Sequence, residues 1–207
     1  ALGFGKANDW LEYRIFVPEE VPEKVTRMAA IVSERYGLHI RKITRKIVRD
    51  EDYGTKVFEL VNRTYCDLYD FTVMPEDVMQ SYVKTYLGLL DLNFLTVVED
   101  SAGKLVAFSV SMPSIAKAVF KSKGYLFPTG WFHLLRSMYW KYEDALELLL
   151  IAVDPEYRNK GVHVLLFNEL IPQLIKNGFK YGESNAEMES NTSVQNLWNQ
   201  YRKEFKR

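Results

Sequence analysis

The chain has 207 residues, 47% hydrophobic and 26% charged, which is enough apolar mass for one sizeable core and too much for a disordered segment. Its 27 basic and 27 acidic residues cancel, so no overall charge draws it to nucleic acid or to an anionic membrane. Cys66 is the single cysteine, which excludes an internal disulfide or a multi-cysteine metal site; His39, His133 and His163 make no zinc pattern, and no apolar run reaches the roughly 18 to 20 residues of a membrane span.

A cytoplasmic α/β protein without nucleic-acid or membrane partners is therefore expected. There is no initiator Met and no signal-peptide pattern, and Ala1 stands in structured-looking sequence, which reads as a piece of a longer product. Residues 2–17 read as a turn and then a strand, and Pro18 and Pro22 break it. Glu23 to Tyr36 places Val25, Met28, Ala29, Val32 and Tyr36 at helical spacing, with Gly37 as the stop. Leu38 to Val48 alternates and predicts a strand with a basic, solvated face.

Asp50 to Tyr69 predicts a helix whose apolar stripe is Val57, Leu60, Val61, Tyr65 and Leu68, with Cys66 as a small core residue. Glu76 to Leu90 predicts a second helix. Two β-rich runs, Phe94 to Glu99 and Lys104 to Ser111, flank Asp100–Gly103 as a hairpin. Met112 to Asp144 is the least regular stretch. It holds helical segments over 114–121 and 131–142 and many aromatic residues, which fit core or lid packing or a pocket wall. Ala145 to Val153 is a near-continuous apolar run, hence a central strand. A helix over 161–177 with Pro172 inside it, a strand over 179–188 and a helix over 191–205 complete the chain.

The stretch from Leu148 to Gly178 carries the chemistry. A buried strand runs into a basic turn with one glycine and then into a long helix. Free backbone N–H groups and the positive end of a helix dipole converge at such a turn and hold phosphate. Val153, Pro155, Arg158 and Gly161 give the pattern V-x-P-x-x-R-x-x-G at the strand-to-helix turn. With the surrounding order of elements, this run resembles the acyl-coenzyme-A-binding motif of the GNAT N-acetyltransferase superfamily, over roughly residues 39–205. His163 departs from the pattern, which has Gly or Ala at that place.

The resemblance implies a GNAT-like fold, a mixed and mostly antiparallel sheet flanked by helices. It implies acetyl-CoA or another acyl-CoA as cofactor, direct transfer to the amine of a small molecule or peptide, and either a homodimer or a tandem arrangement. Its pyrophosphate site would be Arg158, Asn159, Lys160, Gly161, Val162 and His163, with Ile151, Ala152 and Val153 along the pantetheine arm. Asn191 would line the cofactor from the last helix. Trp198 stands where many members carry the tyrosine that protonates the leaving thiolate, and Tyr201, one turn on, is the substitute acid.

Direct transfer also needs a base. Simple alternation puts Glu147 on one face with Leu149, Ile151 and Val153, so it is the first choice, with Glu183 and Glu187 as alternatives. The missing tyrosine and His163 keep a second class of function open: a catalytically silent module that binds coenzyme A or a protein partner, or forms the structural half of a tandem protein. Residues 1–17 resemble the tail of a GNAT unit. Two readings stand: residues 1–37 as the end of a preceding unit with its connecting helix, leaving 38–207 without its usual last strands, or a segment that closes the sheet of this fold.

Overall fold

In the computed structural model the described residues are 3, 5–69, 71–86 and 90–206. In chain order the elements are β1 (Trp10–Leu11), β2 (Tyr13–Phe16), α1 (Glu23–Tyr36), β3 (His39–Ile40), α2 (Arg45–Asp50), α3 (Tyr53–Tyr65) and α4 (Glu76–Tyr86). Then come β4 (Leu95–Glu99), β5 (Leu105–Pro113), α5 (Ala116–Lys121), α6 (Gly130–Leu135), β6 (Ala145–Val153), α7 (His163–Lys176), β7 (Tyr181–Ser184), β8 (Glu187–Met188), α8 (Thr192–Leu197) and β9 (Lys203–Phe205). Of the predicted strand over 38–48 only His39–Ile40 is strand, and from Arg45 the chain is helical, because the Thr44 hydroxyl accepts the Ile47 N–H at 3.2 Å and caps α2. Residues 87–89 of the expected second helix lie outside the described residues.

The main sheet runs β3–β4–β5–β6–β7–β2–β9, with β6 and β7 parallel and every other pair antiparallel. It is sandwiched between helices. On one face Val98 and Val106 pack with Val25, Ala29 and Val32 of α1 and Val164, Leu165 and Leu166 of α7. On the other, Val97, Phe108 and Ala152 pack with Val48 of α2 and Leu60 and Val61 of α3. Neighbours such as Val97 and Val98 serve opposite faces, as the pleat requires. Each such buried aliphatic side chain contributes about 1.5–3 kcal/mol relative to exposure.

The N-terminal segment closes the sheet. β2 lies between β7 and β9, with Arg14 opposite Glu183 on one side and Glu204 on the other. β1 pairs separately with β8, Leu11 facing Glu187. The final helix is shorter than its sequence predicts. Asn191 caps α8, a 3-10 turn covers Trp198–Gln200, and the chain turns extended at Tyr201 to form β9.

One irregularity sets the faces of β6. Val110 is opposite Leu150 but Ser111 is opposite Leu148, so Leu149 is an extra residue, a β-bulge. Before it, Leu146 and Leu148 pack on the α7 face; after it, Ile151 and Val153 do, while Leu149 and Ala152 face α3. Glu147 therefore lies on the opposite face from Ile151 and Val153, contrary to the simple alternation of the sequence.

Candidate active site

β6 has two unequal edges. Along β5 it is paired over its full length, whereas its parallel pairing with β7 stops at Leu148–Ser184. Beyond that point β7 has ended, and Asn185 turns to donate from Nδ2 to the Leu149 carbonyl at 3.2 Å. The Tyr65 hydroxyl, from the last turn of α3, donates to the Ile151 carbonyl at 2.7 Å. The edge from Leu149 to Val153 is thus open to something other than a strand, and Tyr65 stands at its middle.

Past the strand, Asp154 is buried and organises the turn. Its carboxylate accepts the Glu156 N–H at 3.0 Å and pairs with Arg63 and Lys104. Asn159 at φ 61° and Gly161 at φ 76° then bring the chain into α7. Among the described residues no backbone hydrogen bond uses the N–H groups of Asn159, Gly161, Val162 or His163, which crowd at the α7 N-terminus. Alternating left-handed residues with free N–H groups form a concave anion cradle. The glycine is required by its φ. Within the protein, a Cβ at Gly161 would meet only Val32, at an ordinary 3.5 Å.

A cleft of about 450 Å³ opens over this cradle, between the β6 edge, the C-terminal end of α3 and the face of α8. It is lined by Ile151, Val153, Arg158, Asn159, Gly161, Val162, His163 and Asn191. Ala152 is core-facing, buried on the α3 side, so only its backbone follows the strand. Arg158 clamps the cleft: its guanidinium donates to the Thr64 carbonyl at 2.8 Å and lies 3.9 Å from Asp67. The Lys160 ammonium sits instead over the Tyr36 and Tyr157 rings, outside the cleft lining. His163 lies edge-on to Phe167, and burial pushes its pKa down, which keeps the imidazole neutral near pH 7.

A second pocket, of about 360 Å³, lies further back along the splayed edge, between α3, β6 and β8. Tyr65, Leu68, Ile151, Asn191 and Val194 line both spaces, so the two meet at the Tyr65–Ile151 hydrogen bond. Glu187 is the carboxylate of this pocket. One oxygen accepts the Trp198 indole N–H at 2.8 Å, and the other is buried with no partner. Burial pushes the Glu187 pKa up, against the Trp198 hydrogen bond.

The remaining candidates are placed elsewhere. Glu147 lines neither pocket and lies on the strand face opposite Ile151 and Val153. Burial alone would raise the Glu183 pKa, but hydrogen bonds from Lys206 and Arg14 hold it below the usual carboxylate range, committed to that cluster. Tyr201 packs on Phe167 behind the site, with its pKa pushed up to about 12 by burial, and lines neither pocket. Cys66 is exposed beyond the end of α3, not in the core. Tyr65 was legible in the sequence only as one member of an apolar stripe. A hydroxyl on the last turn of a stripe, one side chain's length from a central strand, is the signal that would have marked it.

The fold is that of the GCN5-related N-acetyltransferases. A GCN5-related N-acetyltransferase from Sphaerobacter thermophilus superposes with a TM-score of 0.58 over 96% of this chain and 49% of that one, at 13% identity. The glucosamine N-acetyltransferase region of a fungal multi-domain GH3 β-N-acetylglucosaminidase gives 0.56 over 97% of this chain and 20% of that one, at 12% identity. The chain thus spans about half the length of the first and a fifth of the second. No family model and no curated protein matches it in sequence. Among the described residues no helix is long and apolar enough to cross a membrane, and no group of three metal-ligating side chains forms.

Proposed function

We propose that this protein is an acyl-coenzyme-A-dependent N-acyltransferase. The observation that carries the reading is the coincidence of an unpaired central-strand edge with a phosphate cradle at its end. Coenzyme A supplies an activated acyl thioester; acetyl-CoA is the simplest donor. The residues present fit such a molecule. The N–H groups of Asn159, Gly161, Val162 and His163 meet the pyrophosphate charge, the β6 edge from Ile151 to Val153 meets the amides of the arm, and Asn191 borders it from α8.

In this reading the acceptor amine enters the second pocket, and Glu187 takes its proton. A carboxyl raised by burial is closer to the pKa of a useful base than an exposed one. Tyr65 stays protonated, since burial raises its pKa, and its hydroxyl stands at the junction where the thiolate departs. Rotation from the Ile151 carbonyl toward that sulfur would let it serve as the acid. The apolar walls of Val61, Phe71, Met74 and Leu148 exclude water from both steps.

The rival is a module that binds coenzyme A without turnover. It is favoured by Trp198, whose N–H is committed to Glu187 where the family's tyrosine would face the cleft. Isothermal titration with acetyl-CoA, followed by a thiol-release assay over a panel of amines, separates the two. Binding with release supports the enzyme, binding without release supports the module, and no binding at high micromolar concentration defeats both. Arg158→Ala should weaken the binding; unchanged affinity would mean that the cleft is not the cofactor site.

A further inference from the structure

The segment joining β5 to β6 is built unlike the rest of the surface. Among the described residues, ten of the seventeen exposed large hydrophobic side chains fall between Val119 and Trp140. Phe120 is 85% exposed, Phe127 75%, Tyr125 73% and Trp140 69%, and Trp131 and Phe132 stand beside them. Phe132 contacts both Trp131 and Trp140 edge-on or tilted, so these rings form one cluster rather than scattered residues. Isolated exposed apolar side chains are ordinary, whereas a contiguous cluster marks a contact surface.

The cluster is held on a firm base. Glu143 accepts the backbone N–H groups of Lys117 and Ala118 and the Ser137 hydroxyl, tying α5 and the π-helical turn after α6 (Arg136–Trp140) to the start of β6. Gly130 lies so close to the Tyr125 carbonyl that a Cβ would stand 1.9 Å from its oxygen. The rings are therefore presented by a packed unit.

Charge completes the pattern. No acidic residue occurs between Asp100 and Glu143, while Lys104, Lys117, Lys121, Lys123, Arg136 and Lys141 all do. A recess of about 230 Å³ in the insert is bordered by Lys117, Lys121, His133, Arg136 and Lys141. Glu143 and Asp144 at its edge are already engaged, Asp144 with Lys117 and Lys180. Lys121, Arg136 and Lys141 form no ion pair among the described residues. The zero net charge of the whole chain conceals this separation.

We infer that the insert is a docking surface for an anionic phospholipid bilayer, its aromatic side chains entering the interface and its cations meeting lipid phosphates. Exposed Trp, Tyr and Phe with Lys at their margin is the composition of interfacial membrane binding. Protein–protein interfaces are depleted in lysine, and four of the five cations between residues 116 and 142 are lysines. The inference does not depend on the acyltransferase reading, because binding to a bilayer needs neither coenzyme nor acceptor.

The test is sedimentation of the purified chain with vesicles of phosphatidylcholine alone and with vesicles about one third phosphatidylglycerol. The protein should pellet with the second only, and added salt should release it. The triple variant Lys121→Glu/Arg136→Glu/Lys141→Glu and the pair Trp131→Ser/Trp140→Ser should each lower the partition about tenfold or more, with the melting midpoint and circular dichroism unchanged. Equal binding to both vesicles, no binding, or binding insensitive to both variants overturns the inference. So does self-association in sedimentation velocity that the tryptophan variant abolishes, since that would make the cluster a contact between copies.

Discussion

Replacing Trp198 by Phe tests the central electrostatic claim about the site. The indole N–H donates to the Glu187 carboxylate at 2.8 Å, and the Ser184 hydroxyl favours the charged form more weakly. A hydrogen bond to a charged group is worth about 1.5–3 kcal/mol. It favours the ionised form, so its loss raises the Glu187 pKa further. The sign for stability follows from proton binding. A carboxyl whose folded pKa exceeds its unfolded one binds more protons when folded, so its contribution is full below the unfolded pKa and is lost as pH rises through the folded one. Trp198→Phe widens that window, so its destabilisation should be larger at pH 8 than at pH 5. The indole's lost packing against Phe167 should be the same at both. Titration of the Glu187 carboxyl by carbon-13 NMR, with denaturant unfolding at the two pH values, gives both readouts. An unmoved Glu187 midpoint and a pH-independent loss would show that no such bond exists and would remove Glu187 as the tuned base.

Other consequences can be measured directly. Gly161→Ala forces an L-residue into φ 76° and should cost about 1–2 kcal/mol in thermal or denaturant stability; a neutral result would mean the cradle is not left-handed. Glu183, whose pKa is held down by Lys206 and Arg14, contributes stability that is present above its unfolded pKa and lost as pH falls through the folded one. Glu183→Gln should therefore flatten the acid limb of the stability curve, and a curve unchanged below pH 5 would contradict the pairing. Tyr65→Phe removes the hydroxyl bonded to Ile151 and should cost about 0.5–1.5 kcal/mol of stability. If Tyr65 is the acid, turnover should fall while coenzyme affinity stays within about threefold.

The parts of the fold written in local sequence are the parts that depend on local physics. Ala145 to Val153 is apolar except at Glu147, as suits a central strand, and the strand has those bounds. The α1 stripe and its Gly37 stop fix a helix whose cap is left-handed at φ 61°. The turn after Val153 was legible because a glycine and a proline punctuate it, and Arg158, Asn159, Gly161, Val162 and His163, though not Lys160, line one cleft. Thr44 was available as a cap signal and outweighed the alternation of its neighbours.

What the sequence could not supply is long-range. Alternation assigns faces only while the register holds, and the extra residue at Leu149 reverses it, so Glu147 lies opposite Ile151 and Val153. Glu187 is placed by a strand ribbon with Leu11 and by Trp198, partners far apart in the chain or set by how α8 packs. Tyr65 reaches Ile151 across 86 positions. Whether the aromatic residues of the insert would be core or surface was also open, because composition does not say what lies opposite a side chain. By itself the sequence determined that a strand, a basic glycine-containing turn and a helix follow one another, since propensity, capping and backbone freedom act between neighbours. Only the tertiary structure decided which acid, which hydroxyl and which exposed face accompany them, because burial and pairing depend on residues that the chain brings together only when folded.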